Sequence, residues 1–557
     1  MATISLGKVA FTWKGAYDAA LTYNGQDVVN EDGTTYIAKD SVPINSTPSA
    51  TPASWDVFAQ GVEGVASNAN ELVYFDGTQL QALTVGTAGQ ILKLDANGVP
   101  EWNTHPARQS VRAKGLVQGN RMLYRRGAAV MQDGSARWWG RGENWMHGAG
   151  NQTGDRSYPV RTGFPADAAA IDRMWGEYDY MSCAITTDGK FWVWGQNDHG
   201  EVGRGNTTDT KVPYCPSDDT QNTINGKTII DYAPMCSNEN SISSLVLASD
   251  GTVHSCGYNG YGQLGMGDTT QRTRFNQVPV LSGITKIVRG RSAETACLAL
   301  KNDGSVYSWG RNQYGELGTG NTTQMNIPMQ ITYFLSNSIT IVDIGMGQNF
   351  SWAIDDAANL YTWGYNGYGN LGRNGTSTNT TSYTPAIALT NVVFADGFHD
   401  DYQNLFAIKS DGSVWATGDN SYGCLGVSGD TTDRSSFVEC KKDGNVGFTN
   451  AVKVWSAGSG SYNYTHILDS NGIAWSVGYS GNGQLGRGTF DGTNYWFKPV
   501  LIHRRTVTDI RPVGNSSEGG TIYLLDDGQV LQTGYAGESQ LPEDDDENIS
   551  VPMPVIF

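Results

Sequence analysis

The sequence predicts an all-β chain whose last three quarters form a β-propeller. Three observations carry that prediction: a short phrase repeated eight times, glycines at fixed offsets behind it, and an unusual composition. The 557 residues include 70 Gly, 16 Trp, 27 Tyr and 16 Phe, with only 17% charged. Too few charged and helix-forming residues are present for a coiled coil, and the glycines do not fall every third residue as collagen requires. The aromatic content excludes wholesale disorder.

The phrases are DGSARWWG (133–140), DGKFWVWG (188–195), DGTVHSCG (250–257) and DGSVYSWG (303–310), then AANLYTWG (357–364), DGSVWATG (411–418), NGIAWSVG (471–478) and DGQVLQTG (527–534). Each reads as the turn and second strand of a hairpin, with Asp-Gly or Asn-Gly supplying the positive φ angles of a tight turn. An apolar strand precedes it, as in 244–249, 297–302 and 405–410, and an alternating β-branched and aromatic strand follows. Counted from the last glycine of a phrase, more glycines recur at +5, +8 and +10: Gly200, Gly203 and Gly205, then Gly262, Gly265 and Gly267, then Gly315, Gly318 and Gly320. An apolar residue at +7 (Val202, Leu264, Leu317, Leu371, Leu425, Leu485) plugs the core, and units close near Pro213, Pro279, Pro328 and Pro385. Units of about 55 residues made only of short strands are propeller blades.

The segments YNGYGQLGMGDTT (258–270) and RNQYGELGTGNTT (311–323), each after an aromatic strand ending in Gly, resemble repeats of the regulator-of-chromosome-condensation family over about residues 120–557. The resemblance implies a β-propeller, usually of seven blades. Eight phrases predict eight blades here, with seven plus an irregular first unit as the alternative. The first and last units keep only part of the glycine pattern, which makes them the expected places for closure.

The first quarter reads differently. In residues 1–60 a hairpin is expected from 26–30 and 34–38, and Trp13, Tyr17, Tyr23, Tyr36 and Trp55 supply a dense set of aromatics. The pattern W-x-G-x-Y, Y-x-x-x-D-V-V, G-x-x-Y-x-A and a closing Trp resembles a small chitin-binding-like module found in bacteriophage tail fibres. Residues 61–104, with LTVGTAGQIL (83–92) and VPEW (99–102), resemble a fibre shaft repeat. Gly-punctuated strands this short bury no core alone, so three chains wound together are expected. Residues 105–119 read as a linker. From His105 to Arg141, eight Lys or Arg (108, 112, 114, 121, 125, 126, 137, 141) stand against Asp133 alone. That segment reads either as a solvated basic stretch or as a dock onto an acidic partner or the propeller's own rim.

The net charge of −18 argues against nucleic-acid or anionic-membrane binding. No stretch reaches the 18 apolar residues of a membrane helix, and the N-terminus lacks the apolar core of a cleaved signal. Seven scattered cysteines without a CxxC argue against a disulfide framework or structural zinc. Chemistry is sparse. Residues 225–228 hold the GKT tail of a phosphate loop, but Gln221 stands where its first glycine belongs. His399-Asp400-Asp401 reads as a loop histidine, and the 543–547 acidic run as a solvated loop without calcium-loop spacing. Cys183 and Cys297 read as small core residues.

No catalytic residue, metal or cofactor is expected. The candidate binding residues are the loop tyrosines Tyr258, Tyr261, Tyr314, Tyr365, Tyr368, Tyr422 and Tyr479. Tyr261, Tyr314, Tyr368 and Tyr422 share one repeat position, which a repeated blade contact explains; exposed, they offer stacking surfaces. The resemblances together imply a bacteriophage tail fibre or receptor-binding protein, made in the host cytoplasm and located on the virion. It would be a homotrimer that joins tail or baseplate proteins and meets a host-surface glycan or protein through propeller loops. A structural neck, baseplate or capsid fibre is the alternative.

Overall fold

A computed structural model describes the strands between Thr12 and Thr104 as backbone, and residues 112–557 apart from 118–125, 143–144, 146, 151–155, 178–179, 234–241, 291–295, 375–380, 398–402, 428, 459–461, 503–504, 514–518 and 536–547. The chain divides into two compact units, 1–110 and 111–557.

The first unit holds one four-stranded sheet, Thr12–Ala16, Asp27–Glu31, Thr34–Ala38 and Trp55–Ala59, in that order. The expected hairpin is its central pair, with Val28 opposite Ile37, while the first two strands run parallel. Two separate hairpins follow, Glu71–Phe75 with Leu80–Thr84 and Gln90–Leu94 with Pro100–Thr104. Trp13, Tyr36 and Trp55 lie on strands; Tyr17, Tyr23 and the side chains of all five aromatics are outside the described residues.

The second unit is an eight-bladed propeller. Blades of four antiparallel strands, adjacent in chain order, span 113–161, 171–214, 229–277, 284–330, 341–389, 392–439, 451–499 and 507–554; the seventh is extended at its outer strand by Lys441–Lys442, which runs parallel to it, and by Val446–Gly447. Blade 4 shows the plan: inner strand Ile284–Arg289, then Ala296–Lys301, Val306–Gly310 and the outer Met325–Gln330. Six second strands, such as Met181–Thr186 and Ser243–Ala248, are buried from end to end, and the other two all but their terminal Lys301 and Lys409, because neighbouring blades cover both faces. Pro213, Pro328, Pro385, Pro499 and Pro552 fall within outer strands, where a missing N–H blocks further edge pairing.

Two expectations need correction. The first blade's inner strand, Ala113–Leu116, lies within the stretch read as a linker. The hairpin turns are also not the two-residue kind. In blade 4, Lys301 N donates to Ser305 O and Gly304 N to Lys301 O, leaving a three-residue loop in which only Gly304 (φ +83°) is left-handed. This is a turn ending in a glycine bulge. Asp303 accepts the Ser305 N–H at 3.0 Å instead of adopting a positive φ itself.

The core is a series of inter-blade seams. Leu245, Leu247 and Val253 of blade 3 pack with Ile287, Ala299 and Trp309 of blade 4. The six apolar residues at +7 are all buried. Trp309 and Trp363 donate their indole N–H to the carbonyls of Gln263 and Glu316 in the preceding blade, both at 2.9 Å. The glycine at +8 makes room for them: a Cβ on Gly318 would stand 2.8 Å from Trp363 Nε1.

The ring closes without strand exchange. Ala113 N donates to Gly528 O (2.9 Å), Arg511 Nε to Val117 O (2.8 Å) and Trp139 Nε1 to Gln532 Oε1 (2.5 Å), while Phe557 meets Trp139 edge-on. Arg112, from the basic segment, pairs with Asp527 of blade 8 at 3.5 Å, and Lys114 lies 4.0 Å from Asp172. Part of that segment's charge therefore docks on the propeller itself.

Candidate functional site

Antiparallel strands place the first-to-second and third-to-fourth connections of every blade at one end. The glycine loops therefore gather on one face and the Asp-Gly turns on the other. In blades 2 to 6 the glycine loop is stitched by the asparagine two residues after the phrase. Asn259 Oδ1 accepts the Leu264 N–H at 2.9 Å, while its amide donates to the carbonyls of Asp268 and Thr270 at 3.0 Å. Asn197 and Asn312 repeat the pattern in their own loops. A rigid platform results, on which the residues at +1 and +4 stand in fixed places.

The seven predicted tyrosines occupy those two positions, and all are half-buried. The structure shows why: residue +4 of one blade packs on residue +1 of the next. His199 meets Tyr258 at 5.1 Å between ring centres, Tyr314 meets Tyr365 at 5.0 Å, and Tyr422 meets Tyr479 at 5.0 Å. Between blades 3 and 4 the +1 residue is Arg311, whose guanidinium lies 5.9 Å from Tyr261 and 5.8 Å from Tyr314. An aromatic arc thus runs from His199 through Tyr258, Tyr261, Arg311 and Tyr314 to Tyr365. A second cluster joins Tyr422, Tyr479 and Tyr462, with Tyr462 stacked on Tyr422 at 5.8 Å. The sequence did not single out Tyr462 because it belongs to a different connection. Tyr368 holds the same +4 position in blade 5.

A second recurring position escaped sequence reasoning. At +6 stand Glu201, Gln263, Glu316, Asn370, Cys424 and Gln484, all buried. Glu201, Gln263, Glu316 and Gln484 each turn back to accept the N–H two residues earlier, at 2.8, 2.8, 2.6 and 2.9 Å. Burial pushes the Glu201 carboxyl up to about 8, with Asp198 and Asp209 adding like charge. Burial raises Glu316 to about 7 against its N–H bonds and nearby Arg311. At pH 7 Glu201 is therefore held largely as a neutral acid and Glu316 about half protonated, and both cap turns. The available signal was the alternation of Glu with Gln at one repeat offset.

The remaining candidates resolve plainly. Lys227 of the GKT segment pairs with Asp250 at 2.5 Å, so its ammonium is committed on the opposite face. Cys183 and Cys297 are fully buried on second strands. His399-Asp400-Asp401 and the 543–547 run are outside the described residues. No group of metal-binding side chains occurs among the described residues.

Residues 250–293 and 303–354 match the regulator of chromosome condensation (RCC1) repeat, and 178–201 match a second model of that repeat. The ultraviolet-B receptor UVR8 of Arabidopsis thaliana is 29% identical over 371 residues, covering 66% of this chain and 78% of its own. The human E3 ubiquitin-protein ligase HERC2 is 28% identical over 289 residues, covering 49% of this chain but 6% of its own. Prp20p of Saccharomyces cerevisiae, 19% identical, superposes with a TM-score of 0.51 over 74% of this chain and 97% of its own, a likeness of fold alone.

These relatives are eukaryotic cellular proteins, and they overturn the reading as a bacteriophage tail fibre or virion structural protein. The virion location falls with it, as do the tail, baseplate and host-surface partners; the chitin-binding-like module and the homotrimer find no support. The repeat matches lie within residues 178–354, outside the first quarter that led to that reading. The second unit, residues 111–557, is an eight-bladed β-propeller built from RCC1-like repeats.

Proposed function

We propose that the propeller is a non-catalytic, protein-binding regulator whose glycine-loop face receives a basic protein partner. The carrying observation is the half-exposed arc from His199 to Tyr365, whose rings are locked by blade-to-blade packing. Tyrosines already fixed by intramolecular contacts lose little side-chain entropy when a partner covers them, and they present both an apolar face and a hydroxyl. The net charge of −18 favours a partner carrying positive charge. Hydrophobic or aromatic interface centres of this kind dominate binding energy in protein complexes. In this reading the tyrosines at 258, 261, 314, 365, 368, 422 and 479 are contact residues, and residues 1–60 and 61–104 are separate accessory segments.

Prp20p, which shares the fold, binds Gsp1p and histones, and these are suitable first probes. The test immobilises the full chain and measures binding of core histones and of Gsp1p by surface plasmon resonance. Wild type is expected to bind the basic probe with an affinity that falls as salt rises. Tyr258→Leu with Tyr314→Leu is expected to weaken it about tenfold or more at unchanged melting temperature. Binding that survives this double substitution, or that never occurs with basic proteins, overturns the proposal.

A further inference from the structure

Among the described residues, only blade 7 carries a further strand beyond its outer one, Asn494–Pro499. Lys441–Lys442 lies parallel to it, with Lys442 opposite Phe497, and the chain folds back through Val446–Gly447. This hairpin is a self-contained unit. Gly444 (φ +80°) and Asn445 (φ +63°) shape its turn, Asn445 N donates to Lys442 O at 3.1 Å, and residues 443–446 are exposed. Its anchors are few and lie at the surface: Lys441 N to Gly426 O at 2.7 Å, Asp443 N to Phe497 O at 3.1 Å, and a Lys498–Asp443 pair at 3.5 Å.

Lys442 reaches from the hairpin into a corner of rings. Its ammonium stands 4.7 Å from the centre of Phe448 and 4.6 Å from that of Trp475, and the two ring planes meet at 87°. The neighbouring ion pairs use Lys441 with Glu439 and Lys498 with Asp443, so Lys442 is left with the two rings. The corner itself is fixed by the core. Trp475 Nε1 donates to Asp469 Oδ2 at 3.1 Å, and Phe448 meets Phe497 edge-on at 5.4 Å. The same ring pairing recurs as Phe164 with Trp192 and Phe334 with Tyr361, at 5.4 and 5.6 Å, with no cation over either among the described residues. The rings therefore do not need the lysine.

Aromatic faces attract a cation but accept no strong hydrogen bond, so a primary ammonium enters such a corner by giving up water from its N–H groups. A methylated ammonium has fewer N–H groups to forfeit and more apolar surface to bury. The corner thus suits a methylated lysine better than the lysine it holds. The strand edge at Phe497 supplies backbone pairing to the residues around that lysine, as it does for Lys442.

We propose that the edge of blade 7 docks an extended protein segment carrying a methylated lysine, and that the 441–447 hairpin is its built-in competitor, with Lys442 filling the cage until the segment displaces it. The site belongs to one blade's outer edge and does not depend on the tyrosine arc.

The test uses the full chain, wild type and Lys442→Ala. The probes are a short acetylated alanine peptide with one central lysine, either unmodified or trimethylated, and choline chloride at matched ionic strength. By calorimetry, Lys442→Ala is expected to bind the trimethylated peptide at one saturable site, about tenfold or more tightly than wild type, because the cage is no longer filled from within. The unmodified peptide is expected to bind more weakly for its N–H groups, and choline for its lack of a backbone. Adding Trp475→Leu to Lys442→Ala is expected to abolish the site, and adding Trp475→Phe, which keeps a ring, to weaken it. Absence of saturable binding by Lys442→Ala at millimolar concentration, equal affinity of wild type and Lys442→Ala, binding that survives Trp475→Leu, or equal binding of choline or the unmodified peptide overturns the proposal.

Discussion

Replacing Glu201 and Glu316 with glutamine tests whether the glycine loops hold their buried carboxyls as neutral acids. Both side chains accept an N–H two residues back, and Gln263 and Gln484 perform the same act at the same repeat position, at 2.8 and 2.9 Å. The chain's own repeats therefore show that an amide fits. A carboxyl raised from an ordinary value near 4.5 to about 8 binds its proton more tightly folded than unfolded. Its contribution is complete below about pH 4.5 and is lost as pH rises through the folded value. At about 1.4 kcal/mol per unit, the loss is bounded at about 5 kcal/mol for Glu201 and about 3 kcal/mol for Glu316, which reaches about 7. At pH 7 each carboxyl has given up at most about 3 kcal/mol. Denaturant midpoints at pH 5, 7 and 8.5 should therefore converge at pH 5 for wild type, Glu201→Gln and Glu316→Gln. They should separate above it, with both variants more stable and Glu201→Gln still gaining between pH 7 and 8.5. Parallel curves from pH 5 to 8.5 would mean that both carboxyls fold ionised, and the reasoning would fail.

Ala358 holds φ +62° at the turn position where seven other blades have glycine. Relief of about 1–2 kcal/mol of left-handed strain outweighs about 0.4–1 kcal/mol of added unfolded-chain entropy, so Ala358→Gly should raise stability in denaturant titrations. Gly304→Ala should do the reverse, because its Cβ would also meet Thr340 Cγ2 at 2.5 Å. Trp309→Phe removes the bond to Gln263 O, whereas Trp138→Phe removes an indole N–H without a partner among the described residues; thermal melts should show the first variant worse by about 1 kcal/mol. His466, fully buried against the Tyr523 hydroxyl at 3.0 Å, is pushed down to about 3 by burial and by Arg487. Its contribution is present above about pH 6.5 and lost on acidification, so His466→Gln should flatten the acid limb of the stability profile between pH 6.5 and 3.

What the chain made legible by itself was its periodicity. Glycine at +5, +8 and +10, the apolar +7 residue and eight hairpin phrases specify a repeat unit because each encodes a local requirement: a left-handed backbone, a buried plug or a tight turn. These signals led to eight blades, to Cys183 and Cys297 in the core, and to one repeat position for Tyr261, Tyr314, Tyr368 and Tyr422. Only the tertiary structure decided what those tyrosines touch. A +4 ring meets a +1 side chain about 50 residues away, and nothing local records that spacing. The same holds for Trp309 on the Gln263 carbonyl and for the raised carboxyls of Glu201 and Glu316, since burial and hydrogen-bond partners belong to the assembled ring. The start of the first blade was missed for a related reason. Ala113–Leu116 is a four-residue strand in a basic stretch, and it becomes a blade edge only when Arg112 reaches Asp527 and Ala113 bonds to Gly528 across the closed ring.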